Sequence, residues 1–461
     1  MTNLADSELI HHHQKNAEII ARLERIPVTH ELQFMRVTIG IATFFDAYTV
    51  LAIAFALPQL ISEWNLTPAY VGAIIAAGYV GQLFGAVFFG SLAEKVGRLK
   101  VLSFTILLFV AMDISCLFAW SGLSLLVFRF FQGVGTGGEV PVASAYINEF
   151  IGAEKRGKFF LLYEVLFPLG LMFAGMAAYF LMPIYGWKAM FIVGLIPSII
   201  VIPLRFFLKE SPRWLASKGR FEEADRVVTC FEQGAIRQGK VLSQPIVKEI
   251  NPQAMAKTDW RELFSGIYRK RTFTLWGMWF CVYMINNAMV TWLPSLYKQH
   301  FGLSLQTSLG YGWITSGVGV IASILCALMI DKVGRRPWYT AAFFLAIIPL
   351  MSLFILGAKT ATQVLVLATL SYAILQTVSF SLYLYAAELY PTRLRAMGIG
   401  FSTAWLRAGS AIGPLIVGLI VAGYGIQYVF SVLAVVALVG GLVTFWFAIE
   451  TKGQMLEKLS P

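Results

Sequence analysis

GSLAEKVGRLK (residues 90–100) and CALMIDKVGRRPW (326–338) are two versions of one phrase: an apolar stretch, an acid, a lysine, then Val-Gly-Arg. Gly97 and Gly334 permit a tight turn, and Arg98 and Arg335 can then reach acidic groups and helix C-termini. Other pairs recur at the same interval. FALPQLISEWNLT (55–67) matches TWLPSLYKQHFGLS (291–304) through Pro58 and Pro294. Glu149 precedes Arg156 by the same seven residues that separate Glu388 from Arg395. The offset stays near 236–239 throughout, so the chain reads as an internal duplication.

Apolar runs fill both copies. They fall near 34–62, 69–93, 101–120, 122–147, 159–183, 188–208, 273–297, 307–330, 338–357, 361–387, 397–422 and 426–449. With 58% hydrophobic and 13% charged residues, the chain has more apolar surface than a soluble domain can bury. The expected fold is an all-α membrane protein of twelve transmembrane helices in two six-helix bundles. The expected organisation is an N-terminal segment and bundle over 1–208, a linker over 209–272 and a C-terminal bundle over 273–461. The linker, with SKGRFEEADRVV, reads as short amphipathic helices against the membrane face.

A net charge of +11 in a soluble protein would suggest nucleic acid; here it sets topology, and no nucleic-acid partner is expected. Lys95, Arg98 and Lys100; Lys155, Arg156 and Lys158; Lys332, Arg335 and Arg336; and Arg393 with Arg395 all fall on one side, with the linker. The other side holds Lys188, Lys298 and Lys359. The positive-inside rule places both termini and the linker in the cytoplasm of a multi-pass inner-membrane protein. Residues 1–33 carry no apolar signal core, so the first run is expected to act as an uncleaved anchor. The tract HHHQK (11–15) has no cysteine or carboxylate cluster to complete a metal site and reads as a solvated stretch. Cys116, Cys230, Cys281 and Cys326 form no CxxC pair and read as reduced packing residues. No metal and no cofactor are expected. No nucleophile–base pair or phosphate loop stands out, which argues against an enzyme.

These phrases resemble the major facilitator superfamily. GSLAEKVGR and DKVGRR look like its loop signature, and RFFQGVGTGG (129–138) is similar to its fourth-span signature. KESPRWL (209–215) and ELYPTRLRAMG (388–398) resemble the sugar porter and organic ion transporter branch. GGEVPVASAYINEF (137–150) and FFDAY (44–48) look most like bacterial niacin-type and aromatic-acid/proton symporters. The resemblance implies alternating access, a cavity lined by spans 1, 4, 7 and 10, and a monomer. Thr49 stands where the aromatic-acid symporters carry a second acid, in a D-x-Y-D pattern.

Ionisable residues inside spans are expensive and therefore informative. Arg407, in LRAGSAIGP (406–414), would lie ~15 Å into a ~30 Å hydrocarbon core, at a cost of at least ~2.5–3.5 kcal/mol. In the related organic ion carriers the charge at this place tracks the substrate, arginine going with anions. Arg407 is thus expected to hold a carboxylate; a bridge to Asp46 or Glu139 is the structural alternative. Asp46 and Glu139 are the proton-coupling candidates, each with an ion pair as alternative. Arg129 and Glu139 lie three turns apart on one helix and cannot pair with each other. Asp113 is expected to make a helix-to-helix hydrogen bond, and Glu164 to lie near the cytoplasmic end of its span. Tyr48, Asn286, Asn287 and Trp292, with Gln376, Ser379 and Tyr383 on one face of the tenth span, are the further substrate-binding candidates. Phe380 and Ala387 share that face. Arg98, Glu149, Arg156, Arg335, Glu388 and Arg395 form a candidate charge network that latches the cytoplasmic side.

The expected function is proton-coupled uptake of a small aromatic monocarboxylate, nicotinate being the first candidate. The expected partners are an organic anion, protons and the lipid bilayer. The alternatives are an organic cation, drug or sugar transporter and, from another class, a receptor or sensor on a transporter fold.

Overall fold

The computed structural model describes residues 14–152, 159–160, 162–196, 207–247, 260–390 and 392–452, with only the backbone at 392, 393, 395 and 396. His11–His13, Arg156 and the side chain of Arg395 lie outside the described residues.

The described chain is helical. A surface helix, α1 (14–24), precedes α2 (His30–Trp64), α3 (Pro68–Val96), α4 (Arg98–Leu117), α5 (Gly122–Phe150), α6 (Leu166–Tyr185) and α7 (Lys188–Gly194). Two short helices follow, α8 (Pro212–Ser217) and α9 (Phe221–Arg237). Then come α10 (Gly266–Gln299), α11 (Leu305–Val333), α12 (Arg335–Leu356), α13 (Ala361–Leu389), α14 (Thr392–Gly423) and α15 (Ile426–Phe447). Among the described residues nine helices are long and apolar enough to cross a membrane. The fourth and seventh expected spans are present as helices of 29 and 34 residues, of more polar composition. The sixth expected span begins with α7, and 197–206 lies outside the described residues.

Helix starts follow the local chemistry. Thr29, Thr67, Ser304 and Thr360 each accept a bond from the backbone N–H three residues on, and Ser121 forms a reciprocal pair with Ser124. Turns are correspondingly short. Asn65 and Gly357 close α2 and α12 in the left-handed conformation.

Glycine lets α3 and α5 pack backbone to backbone. A Cβ on Gly81 would stand 2.0 Å from the Phe130 carbonyl oxygen, one on Gly85 2.0 Å from that of Val134, and one on Gly133 2.0 Å from that of Gly78. Gly409 and Gly413 do the same for α14 against α10.

The duplication appears in the packing. Helix α3 pairs with α14, and its counterpart in the second copy, α11, pairs with α6, the counterpart of α14. The repeated α2 and α10 meet each other. Beyond these helix pairings, side-chain bonds join the copies at the end of α2 near Pro58. There Lys298 Nζ donates to the Pro58 carbonyl at 3.0 Å and Gln299 Nε2 donates to the same oxygen at 3.2 Å. Close by, Phe55 fills the space above Gly312, and Trp313 lies against Gly175.

The opposite end carries the repeated charges. Arg98 pairs with Glu149 at 2.9 Å and donates to the Ala93 carbonyl at the end of α3; Arg335 pairs with Glu388 at 2.8 Å. The sequence did not single out the acids that complete each unit. Glu210 accepts from the backbone N–H of Arg98 and Leu99, and Glu450 from those of Arg335 and Arg336. Each carboxylate caps a helix N-terminus. Each turn also requires glycine. Gly97 and Gly334 have φ of +116° and +104°, and a Cβ would meet Glu210 at 2.6 Å or Glu450 at 2.7 Å. Burial pushes the Glu210 carboxyl above the usual carboxylate range. Burial would raise Glu450 too, but backbone donors from Lys452, Arg335, Arg336 and Thr451 outweigh it and hold that carboxyl below the usual range.

Helices α8 and α9 dock on the first copy. Arg213 donates to the Glu149 carbonyl, Trp214 to the Glu94 carbonyl, and Phe231 packs on Phe150. Helix α1 is clamped to α9 by Arg22 and Arg25 on Glu232, Arg25 at 2.5 Å.

Two outcomes test this architecture. Gly81→Ala is expected to lower stability by ~1–3 kcal/mol through overpacking, whereas Gly90→Ala on the same helix, with nothing within 4 Å, changes it by less than ~1 kcal/mol. Thermal unfolding of both in detergent decides. Because the native Glu450 carboxyl titrates below its unfolded value, its stabilisation is present at neutral pH and lost as pH falls through the native value. Glu450→Gln should therefore lower Tm at pH 7 and converge with the wild type in acid, read by melting curves across pH.

Candidate functional site

Midway between the ends lies a cavity of about 120 Å³, walled by α2, α3, α5 and α6 of the first copy and α10, α13 and α14 of the second. An engineered cavity of ~150 Å³ takes up benzene, so the space is on the scale of one ring. Arg407, Asp46, Asn286, Asn287, Gln376, Ser379 and Tyr383 all line it, as does Phe380.

Arg407 enters from α14 and is 5% exposed. Its Nη1 donates to the Thr403 carbonyl at 3.2 Å, and its Nη2 crosses between the copies to the Gly137 carbonyl at 3.3 Å. Its Nε has no partner. Among the described residues it makes no ion pair within 4.0 Å, so the expected alternative of a bridge to Asp46 or Glu139 is not formed. Asp46 Oδ1 is likewise buried and unpartnered.

The amides are organised by neighbours. Asn286 Nδ2 donates to Ser379 Oγ at 2.8 Å and to Gln376 Oε1 at 3.4 Å, and its Oδ1 remains unpartnered. Asn287 is fully engaged: it accepts from Tyr79 OH of the first copy at 2.6 Å and donates to the Tyr283 carbonyl and to Ser410 Oγ. Tyr383 stands edge-on to Trp279 at 4.5 Å, and Tyr283 stacks on the same indole. These contacts hold aromatic rings at the wall in fixed orientations.

Other candidates sit behind the wall. Tyr48 is fully buried and donates to the Met190 carbonyl at 2.8 Å; Trp292 donates to the Pro414 carbonyl at 2.9 Å. Both brace helices and neither lines the cavity. Glu139 is fully buried one layer back. Its Oε1 accepts from Thr43 Oγ1 at 3.2 Å, its Oε2 is unpartnered, and Thr43, which reaches Tyr163 OH at 2.6 Å, does line the cavity. Arg129 reaches the Thr49 carbonyl at 3.3 Å and also bonds Gln132, which in turn donates to Asp113. That chain links α2, α4 and α5, the helix-to-helix role expected of Asp113.

Several wall residues escaped the sequence reading. Tyr79 and Gln82 come from a helix not expected to line a cavity, and Tyr372 lies on the expected tenth span but was not singled out. Glu164 is placed near the start of its helix, as expected, yet also faces the cavity, which extends toward that end.

A bundle of apolar helices, duplicated, with an ion-bearing cavity at the meeting of its halves, defines a membrane transporter. Residues 32–461 match the family model for sugar (and other) transporters, and the chain belongs to that family, within the major facilitator fold. It is 32% identical to the niacin transporter NiaP of Acinetobacter baylyi over 96% of this chain and 99% of that one. It is 28% identical to the benzoate transport protein of the same species over 90% of this chain and 89% of that one. The xylose transporter XylE of E. coli, in a partially occluded inward-open conformation, superposes with a TM-score of 0.73 at 18% identity, covering 92% of this chain and 99% of that one. The chain is therefore a transporter and not an enzyme.

Tyr79 and Asn287 make a hydrogen bond that joins the copies beside the cavity. Tyr79→Phe should cost ~1–3 kcal/mol, because it leaves the Asn287 carbonyl oxygen without its donor. Asn287→Ala alone and the double variant complete a thermal-unfolding cycle, with a coupling of ~0.5–3 kcal/mol expected.

Proposed function

We propose that this protein imports a small aromatic monocarboxylate together with a proton, with nicotinate as the first candidate. The observation that carries the reading is Arg407. Its guanidinium faces a ring-sized cavity, spends its bonds on two backbone carbonyls, and has no carboxylate partner among the described residues. A planar guanidinium held in this way matches a carboxylate in two-point contact. Tyr383 and Phe380 offer ring faces and edges to the aromatic body, while Asn286, Gln376 and Ser379 orient it. The sugar alternative is weaker: Asn287 is already saturated by protein groups, and a buried arginine is a poor match for a neutral polyol. The names of two relatives, a niacin transporter and a benzoate transport protein, support the same substrate class.

Asp46, in the cavity wall, and Glu139, reached through Thr43, are the proton carriers in this reading. Loading a proton and an anion neutralises the site, and rocking of the two bundles, 1–208 and 273–461 about the 209–272 linker, releases both on the other side. The protein then works as a monomer in the inner membrane with both termini cytoplasmic. Arg98, Glu149, Arg335 and Glu388, with Arg156 and Arg395, gate the cytoplasmic face. In the conformation described, the Arg98–Glu149 and Arg335–Glu388 pairs each lie inside one repeat.

Thermal stabilisation of the purified protein by nicotinate, benzoate, 4-hydroxybenzoate, glucose and a quaternary ammonium tests the substrate class. A true ligand at 100 times its Kd adds ~2.7 kcal/mol. Aromatic acids are expected to stabilise the wild type and to lose that effect in Arg407→Ala, with Arg407→Lys recovering only part. A response to glucose or the cation alone rejects the reading. In proteoliposomes, Asp46→Asn combined with Glu139→Gln should abolish accumulation driven by a pH gradient; uptake that survives both rejects proton coupling through these groups.

A further inference from the structure

The cavity holds a second acid that the mechanism above leaves unused. Glu164 lines the wall next to Phe167 and Pro168. Among the described residues it has neither a hydrogen bond nor an ion pair. Its position differs from that of Asp46. The charge of Arg407 reaches Asp46, whereas among the described residues no opposite charge neighbours Glu164. Arg407 can balance one anion, either Asp46 or the carboxylate of a ligand. With a monocarboxylate on Arg407 and the coupled proton on Asp46 or Glu139, Glu164 is left without a counter-charge among the described residues. An uncompensated carboxylate at this half-buried position in the wall is unfavourable, so Glu164 calls for a proton or for a cationic centre brought by the ligand.

We propose that Glu164 reads a basic ring nitrogen, so that the cavity selects a pyridine-type monocarboxylate over its benzene isostere. The inference rests on the carboxylate docking at Arg407. Both groups line the same ring-sized cavity, and in this reading one ring meets both, carboxylate toward Arg407 and ring nitrogen toward Glu164. When Glu164 holds the proton, its O–H donates to the nitrogen lone pair. When the ring holds it, the N–H donates to the carboxylate. The heavy atoms are arranged the same way in both cases and one proton is shared, so no other bond forms or breaks. Benzoate has the same outline but presents a C–H at that position. Glu164 would then face the ring unsatisfied, and a site built around a hydrogen bond discriminates strongly against a ligand that cannot make it. The other aromatic rings of the wall accept either ligand, so the distinction falls on this one side chain.

The test is the ratio of nicotinate to benzoate affinity, measured by binding to the full-length protein in detergent for the wild type, Glu164→Leu and Glu164→Gln. The wild type should bind nicotinate at least ~10-fold more tightly than benzoate. Glu164→Leu should bring the ratio close to one. Glu164→Gln, whose amide N–H can still donate to a ring nitrogen, should keep part of the preference and guards against a loss caused by misfolding. Equal affinities in the wild type, or a ratio unchanged in Glu164→Leu, overturn the role of Glu164 and leave the Arg407 reading intact. Binding of neither acid overturns the Arg407 reading, and this one with it.

Discussion

A charged or polar group inside a hydrocarbon layer has no water to fall back on, and the interior of this protein is arranged around that constraint. Each membrane-embedded polar group has one of two fates. Some are consumed by structure. Arg129 works through Gln132 to Asp113 and holds three helices together, and Tyr48 and Trp292 spend their donors on backbone carbonyls. Others are left partly unspent, with Nε of Arg407, Oδ1 of Asp46, Oε2 of Glu139 and Oδ1 of Asn286 buried without partners. Unsatisfied groups are costly, and although others lie elsewhere, these four sit in or just behind one cavity. That grouping, with Arg407 at its centre, supports the site proposed for the ligand.

The duplication governs the rest of the framework. Each copy uses one device at its charged end: a glycine in a conformation other residues avoid, an arginine that ties two helices, and an acid from farther along the chain that caps the helix start. Glu210 and Glu450 hold equivalent places, but burial dominates at Glu210 while backbone donors outweigh it at Glu450, so their carboxyls depart from the usual range in opposite directions. The equivalence is structural, and the surroundings of each copy set its strength.

Much of this was legible in the sequence. The repeated Val-Gly-Arg phrase and its constant offset pointed to a duplicated helical membrane protein, and hydrophobic length located the spans. Arg407, Asp46 and the Asn286–Asn287 pair were found because polar residues in an apolar run are conspicuous. The tenth-span face was readable from helical spacing. Tyr48 and Trp292 were not separable from wall residues, because a tyrosine facing a cavity and one facing a carbonyl share the same one-dimensional context. Glu164 was placed correctly along its helix, but its role depends on how far the cavity extends, and that is a property of helix tilt and packing. The caps at Glu210 and Glu450 were hidden for a similar reason, since each meets its partner across more than 110 residues of sequence.

The seam between α3 and α5 is packed without intervening side chains at Gly81, Gly85 and Gly133. Where backbone meets backbone across glycines there are no side-chain rotamers through which a strain could relax. Gln82 and Thr136 stand in the cavity wall and also in this seam, with the backbone of Gln82 lying against Gly137. The cavity wall and the charged end, with Gly97 and Glu149, are thus joined by two helices locked backbone to backbone, one continuous piece of framework rather than two regions linked through movable side chains.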